Sequence, residues 1–283
     1  MATLLKGKPV ADALSAAIRE EVDYLKPKGI QPALTLIRAG EKPDDKAYER
    51  AIIKRCESVG VKVNSEVVPE NISQADFFRL LDQHNQDPAV HGILIFRPLP
   101  KHLKEGEVQY RIAPEKDVDG FHPVNAGKLL TGDPAAFAPC TPMAVMEILK
   151  HYEVALSGKR AVVLGRSMVV GKPVALLLLA ENATVTIAHS RTQDLETVTS
   201  EADLLVAAIG RSEFVTASHI KKGAVVADVG INVDDAGNLT GDVAAAAAEE
   251  MADAYTPVPG GVGSVTTAVL AKQVIKACKL QLK

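Results

Sequence analysis

The sequence is short of the features that mark several function classes. Its cysteines are three, Cys56, Cys140 and Cys278, far apart and with no CxxC pair. An odd count with that spacing points to reduced thiols in a cytosolic compartment, not to a disulfide framework. The longest apolar run, 174–180, is far too short to span a bilayer, so no membrane is expected as a partner. The opening residues, MATLLKGKPVADAL, lack the charged-then-apolar pattern of a signal segment, and a cytoplasmic location is expected. A formal net charge of only −3 offers no electrostatic case for nucleic acid. Histidines are scattered singly, without an HExxH or a clustered ligand set, so no metal site is expected. No internal repeat is apparent.

What is present is a globular balance, 47% hydrophobic and 24% charged, over 283 residues. That length accommodates two domains, each with its own core. The chain is organised around GKRAVVLGRSMVVGKP at 158–173. A short β-branched run meets Gly165, then Arg166 and Ser167, then Gly171 and a helix-like apolar segment, which reads as strand, tight turn and helix start. Glycines in such a turn let backbone N–H groups approach a phosphate, and the helix aims its positive end at it. The spacing is Gly-x5-Gly instead of GxGxxG, so the turn by itself is a weak dinucleotide signature.

Helical spacing marks 10–25, and the apolar segment 33–38 reads as a strand. A helix from 44 to about 59, a strand at 61–68, a helix at 73–86 opened by Ser73 and a strand at 91–96 follow. Strands alternating with helices imply a parallel α/β structure, with active residues gathered at strand carboxyl ends, here 38–43 and 96–100. The segment 114–142 is rich in Pro, Gly and Asp and reads as a long functional loop or a domain connection. A helix opens at Thr141-Pro142. Beyond the glycine turn, 184–189, 203–210 and 224–230 read as strands, Gly237-Asn238 as a turn and 244–251 as a helix. The stretch 256–264, with its prolines and glycines, reads as irregular, and 265–280 as a docking helix.

Seven blocks then appear in one order: HGILIFRPLP (91–100), KDVDGFHPVNAGKL (116–129), PCTP (139–142), GRSMVVGKP (165–173), HSRT (189–192), DVGIN (228–232) and TPVPGGVG (256–263). On these blocks the sequence resembles the FolD family, the methylenetetrahydrofolate dehydrogenase/cyclohydrolases, over essentially its whole length. The resemblance implies two α/β domains: a folate-binding catalytic domain from 1–141 completed by 264–283, and a Rossmann-like NADP-binding domain with a mostly parallel sheet at 142–263. It also implies a cleft at their junction, tetrahydrofolate derivatives as substrates and a homodimer. Tyr48 and Asp119 are the candidate catalytic residues, with Tyr48, Phe96, Asp119, Pro259, Gly260 and Gly261 around the folate. Gly165, Arg166, Ser167, Gly171, Ser190, Arg191 and Ile231 surround the cofactor.

Physical chemistry supports parts of this. The second nucleotide strand ends His189-Ser190-Arg191, with no acid to bind a ribose 2′-hydroxyl, and Arg166 occupies the phosphate turn. Guanidinium and hydroxyl groups suit a 2′-phosphate, so NADP is expected over NAD. A carboxylate such as Asp119 accepts two parallel hydrogen bonds from an amino-pyrimidinone edge; Asp117 reads as structural.

The sequence departs from the family at two linked positions. The family's YxxxK motif places a lysine four residues after tyrosine, but here Ile52 follows Tyr48. Lys54 lies about 240° around the helix from Tyr48 at roughly 100° per residue. Where the family has GILVQLPLP, Phe96 replaces the glutamine and Arg97 the usual leucine. In the family these two polar groups serve hydrolysis of the methenyl product, whereas hydride transfer asks mainly for orientation. The expectation is a dehydrogenase with cyclohydrolase activity weakened or lost; the alternative is a bifunctional enzyme in which Arg97, Lys42 or a water substitutes. Asp45 and Ser264-Val265 also depart from the family pattern.

Overall fold

Aliphatic and β-branched runs in this chain become parallel strands, and the amphipathic stretches between them become helices. The computed structural model describes residues 2–234 and 236–282. In chain order the elements begin β1 (Thr3–Leu4), α1 (Gly7–Leu25), β2 (Ala33–Ala39), α2 (Pro43–Ser58), β3 (Lys62–Val68), α3 (Gln74–Gln86), β4 (Gly92–Ile95), α4 (Glu105–Arg111) and α5 (Pro123–Thr131). They continue with α6 (Cys140–His151), β5 (Arg160–Leu164), α7 (Gly171–Ala180), β6 (Thr184–Ala188), α8 (Leu195–Ser200), β7 (Leu204–Ala207) and β8 (Ala224–Asp228). The last are β9 (Asn232–Val233), β10 (Leu239–Thr240), α9 (Ala245–Met251), β11 (Ala252–Tyr255) and α10 (Thr266–Gln281). The chain forms two units, one of Met1–Asp12 with Thr141–Thr266, the other of Ala13–Cys140 with Thr267–Lys283.

The smaller sheet, in the second of these units, runs β3-β2-β4 and is parallel throughout. All seven residues of β2 are buried, as a central strand covered on both faces requires. Ile37, Phe77, Leu81, Ile93 and Ile95 are among the residues of one core cluster here. Ser73 caps α3 by accepting the Asp76 N–H at 3.1 Å. A Cβ on Gly92 would stand 2.8 Å from Val118 and 3.2 Å from Val274, so only glycine lets α10 and the Val118 loop pack on β4. Because the strands are parallel, the loops that begin at Gly40 and Phe96 leave the same end of the sheet.

The other unit holds a six-stranded parallel sheet in the order β1-β11-β8-β7-β5-β6, with a β9-β10 hairpin beside it in sequence. Leu164, Leu205, Val226 and Ala248 belong to its core. Among the described residues no helix is long and apolar enough to cross a membrane.

The fold departs from the sequence expectation at several places: α4 and β11 have no counterpart in it, and two further differences have a plain reason. The segment 114–142 is not irregular throughout, because it contains α5. Pro123 starts that helix, His122 Nδ1 accepts the Val124 N–H at 3.0 Å, and Gly132 ends it in the left-handed region. Its caps are legible, but its few core-facing residues hide the period. The division between units also falls differently, with the first twelve residues in the six-stranded unit because Thr3 and Leu4 pair with Ala254 and Tyr255. A two-residue strand has no period to read, and its partner is distant in sequence.

The glycine turn supplies a stability test. Gly165 has φ +130, and a Cβ there would lie 2.2 Å from the Ala208 carbonyl oxygen. Gly165→Ala is expected to cost about 3 kcal/mol through strain and backbone displacement. Gly132→Ala meets only the left-handed φ of +70, with nothing within 4 Å, and should cost about 1 kcal/mol. Urea unfolding of both variants checks this, and equal losses would count against the steric account.

Candidate active site

The carboxyl end of the smaller sheet gathers an aromatic pair, two ion pairs and a buried helix face. Tyr48, on α2, is 39% exposed, and Phe96, directly after β4, is 7% exposed. Their rings meet edge-on with centroids 5.8 Å apart. Ile52 is one helical turn from Tyr48 and is 0% exposed, whereas Lys54 points to solvent. The position where the motif expects a lysine is therefore filled by core packing.

Beside Tyr48, the sequence reading passed over Glu49. It is buried and accepts a hydrogen bond from Arg38 Nε at 3.0 Å and another from the Ser65 hydroxyl. Arg38 also donates to the Gly40 carbonyl, which ties the β2 loop to α2. This buried ion pair anchors the loop after β2 to α2, the helix that also carries Tyr48. Its only sequence signal was an arginine inside an apolar strand.

Asp119 is held by neighbours on both sides. Oδ1 accepts the Cys140 N–H at 2.9 Å, and Oδ2 lies 3.3 Å from Arg97 Nη2. Asp117, by contrast, is 1% exposed and accepts N–H groups from Phe121, His122 and Asn125 Nδ2 at 2.8–2.9 Å. Burial pushes its carboxyl above the ordinary value despite those donors. Gln273 of α10 donates to the Val118 and Ala138 carbonyls at 2.6 and 2.9 Å, clamping the loop that presents Asp119.

In the six-stranded unit, Gly165 and Gly171 cross so closely that a Cβ on Gly171 would lie 2.3 Å from the Gly165 oxygen. Ser167 Oγ accepts the Val170 and Gly171 N–H groups at 3.0 and 3.4 Å, so its side chain closes the turn at the start of α7. The hydroxyl hydrogen remains a donor for a ligand. Arg166, Ser190 and Arg191 are exposed, and the Arg191 N–H donates to His189 Nδ1 at 3.2 Å, which folds the end of β6 into a short turn. Ile231 is 63% exposed.

Two buried aspartates, also missed in the sequence, shape this end of the sheet. Asp242 accepts the Ile209, Gly210 and Arg211 N–H groups at 2.6, 3.0 and 2.8 Å, and Asn232 Nδ2 at 3.0 Å. Asp228 accepts N–H groups from Gly230, Asp242 and Val243 at 2.9–3.0 Å, and burial pushes its carboxyl up to about 6. A Cβ on Gly241 would lie 1.8 Å from Asp228 Oδ2. Pro259, Gly260 and Gly261 belong to the same unit, where the Gly7 N–H donates to the Gly260 oxygen at 2.8 Å.

Family models match both parts of the chain: residues 5–119 match the catalytic domain of tetrahydrofolate dehydrogenase/cyclohydrolase, and residues 139–282 match its NAD(P)-binding domain. The chain belongs to the FolD family. The bifunctional protein FolD of Alkaliphilus oremlandii is 59% identical over 281 residues, covering 99% of each chain. The solved structure of the bifunctional FolD dehydrogenase/cyclohydrolase from Campylobacter jejuni aligns with a TM-score of 0.96 at 40% identity, covering 99% of both chains. The Trypanosoma brucei FolD enzyme, solved with NADP and an inhibitor, aligns with a TM-score of 0.94 at 38% identity, over 100% of this chain and 99% of that one. Tyr48, Ile52, Phe96 and Asp119 fall within the family's catalytic domain, and the Gly165 to Gly171 turn, Ser190, Arg191 and Ile231 fall within its NAD(P)-binding domain.

Proposed function

We propose that this FolD-family protein oxidises 5,10-methylenetetrahydrofolate to the 5,10-methenyl form, with NADP+ taking the hydride. The observation that carries the folate part is Asp119, a half-buried carboxylate fixed by Cys140 and Arg97 on the loop after Val118, in the unit where Tyr48 and Phe96 form an aromatic wall. Asp119 accepts hydrogen bonds from the amino-pyrimidinone edge, and Tyr48 orients the folate. Hydride transfer needs the reacting carbons aligned and water kept out; it needs no ionisable residue on the protein.

The nucleotide-binding residues fit NADP. The crossed glycines allow phosphate to reach backbone N–H groups, and Arg166, Ser190 and Arg191 present donors with no carboxylate at the end of β6. Pro259, Gly260 and Gly261 supply a side-chain-poor loop in the same unit as the nucleotide turn. The reading includes a homodimer, as the family resemblance implies, and a cytoplasmic location, which the three widely spaced cysteines support.

A second reading adds cyclohydrolase activity, and the names of the relatives favour it, since the Alkaliphilus oremlandii and Campylobacter jejuni proteins are both called bifunctional. Against it stand Ile52, buried where the motif has lysine, and Phe96, apolar where it has glutamine. Both replacements remove polar groups together, leaving neither unsatisfied. The test is a two-stage absorbance assay on purified protein with methylenetetrahydrofolate, following NADPH and methenyl-folate separately. NADPH should form with NADP+ in clear preference to NAD+. Methenyl decay at the spontaneous rate marks a monofunctional dehydrogenase, faster decay marks the bifunctional enzyme, and absence of NADPH formation overturns the proposal.

A further inference from the structure

We propose that Arg97 is a specificity residue that donates to the 4-oxo group of the pterin, completing with Asp119 an acceptor, acceptor, donor row matched to a 2-amino-4-oxo ring edge. The inference rests on the folate reading above and deepens it.

The placement is built, not incidental. Arg97 Nη2 lies 3.3 Å from Asp119 Oδ2, and the Arg97 guanidinium stacks on Phe121 with its carbon 4.4 Å from the ring centre. Phe121 is itself anchored, because its N–H donates to buried Asp117 at 2.9 Å. The Arg97 side chain is 20% exposed, so it is withdrawn from bulk water without being sealed off. A guanidinium carries five N–H donors, of which the ion pair with Asp119 engages one.

The chemistry follows from the order of groups. The pyrimidinone edge presents the 2-amino group and N3–H as donors, then the 4-oxo oxygen as an acceptor. A carboxylate has about four lone-pair sites, so after Cys140 N–H and Arg97 each Asp119 oxygen keeps one for a ligand donor. If those two accept the amino and N3–H groups, the next position along the edge is an acceptor, and the residue flanking Asp119 there is a fixed donor. A 2,4-diamino ring reverses this, placing an amino donor against the guanidinium. Sites built to hydrogen-bond one group reject the analogue that lacks it, because their own polar groups are left unpaired.

The test is titration calorimetry of tetrahydrofolate and its 4-amino-4-deoxy analogue against the full-length protein, as wild type, R97L and R97K. Wild type should bind the 4-oxo ligand more tightly. In R97L tetrahydrofolate binding should weaken about 10- to 100-fold, the loss expected for a charge-assisted hydrogen bond. The 4-amino analogue should not weaken with it, so the preference falls by a similar factor. R97K keeps a donor without the planar fork and should fall between the two. An unchanged preference in R97L that melts and binds NADP like wild type overturns the inference while the folate reading stands. Failure of wild type to bind tetrahydrofolate overturns both.

Discussion

Asp119→Ala is expected to lower kcat/KM for the folate substrate about 10³-fold while leaving the dissociation constant for NADP unchanged. Each hydrogen bond between a carboxylate and a ligand N–H contributes roughly 1.5 to 3 kcal/mol, and the proposed contact makes two. Removing the carboxylate also leaves the Cys140 N–H and the Arg97 guanidinium without their shared acceptor. Asp119→Asn keeps one carbonyl but turns an acceptor into a donor, and should still lose about 10²-fold. Steady-state kinetics on folate, with cofactor binding measured separately by fluorescence, distinguish the proposal from general unfolding. A folded Asp119→Ala enzyme within a few-fold of wild type would remove Asp119 from the folate site.

The second large effect is a gain. The double variant I52K/F96Q is expected to consume methenyl-folate about 10²-fold faster than wild type, the scale of general acid–base catalysis. Ile52 is 0% exposed on the face of α2 that carries Tyr48, so a lysine there enters a desolvated position. Desolvation lowers a lysine pKa, which favours the neutral amine and produces hydrolysis that rises with pH through that depressed value. The same burial should cost about 3 kcal/mol of stability, visible in urea unfolding. Because the proposed hydrolysis uses the two polar groups together, neither I52K nor F96Q alone should give more than a several-fold gain. Wild-type hydrolysis already as fast as that of the double variant would show that this chain moves the proton without a lysine at position 52.

How far the site was legible depended on sequence distance. The Gly165 to Gly171 turn is a local signal, since strand, glycine and helix start are consecutive, and the close approaches explain why both positions are glycine. Ser73 as a cap and the parallel strands were legible for the same reason. Asp119 stood out within its block, but its pairing with Arg97 joins positions 22 apart on separate elements, and no periodicity reports that. Asp228 and Asp242 were invisible in role, because an acid at the end of a strand looks like a solvent-facing loop residue until the N–H groups it accepts are in place. β1 escaped because its partner strand lies near the other end of the chain.

The sequence by itself determined the family, the α/β class, the nucleotide turn and the absence of the motif lysine and glutamine. Each of these is carried by residue identity or by spacing within a few turns. Only the tertiary structure decided that position 52 is sealed in the core, that Arg38 and Glu49 form a buried pair, and that Arg97 stands beside Asp119. Burial and ion pairing arise when distant segments close together and exclude water, and a linear sequence holds no direct record of which segments those are.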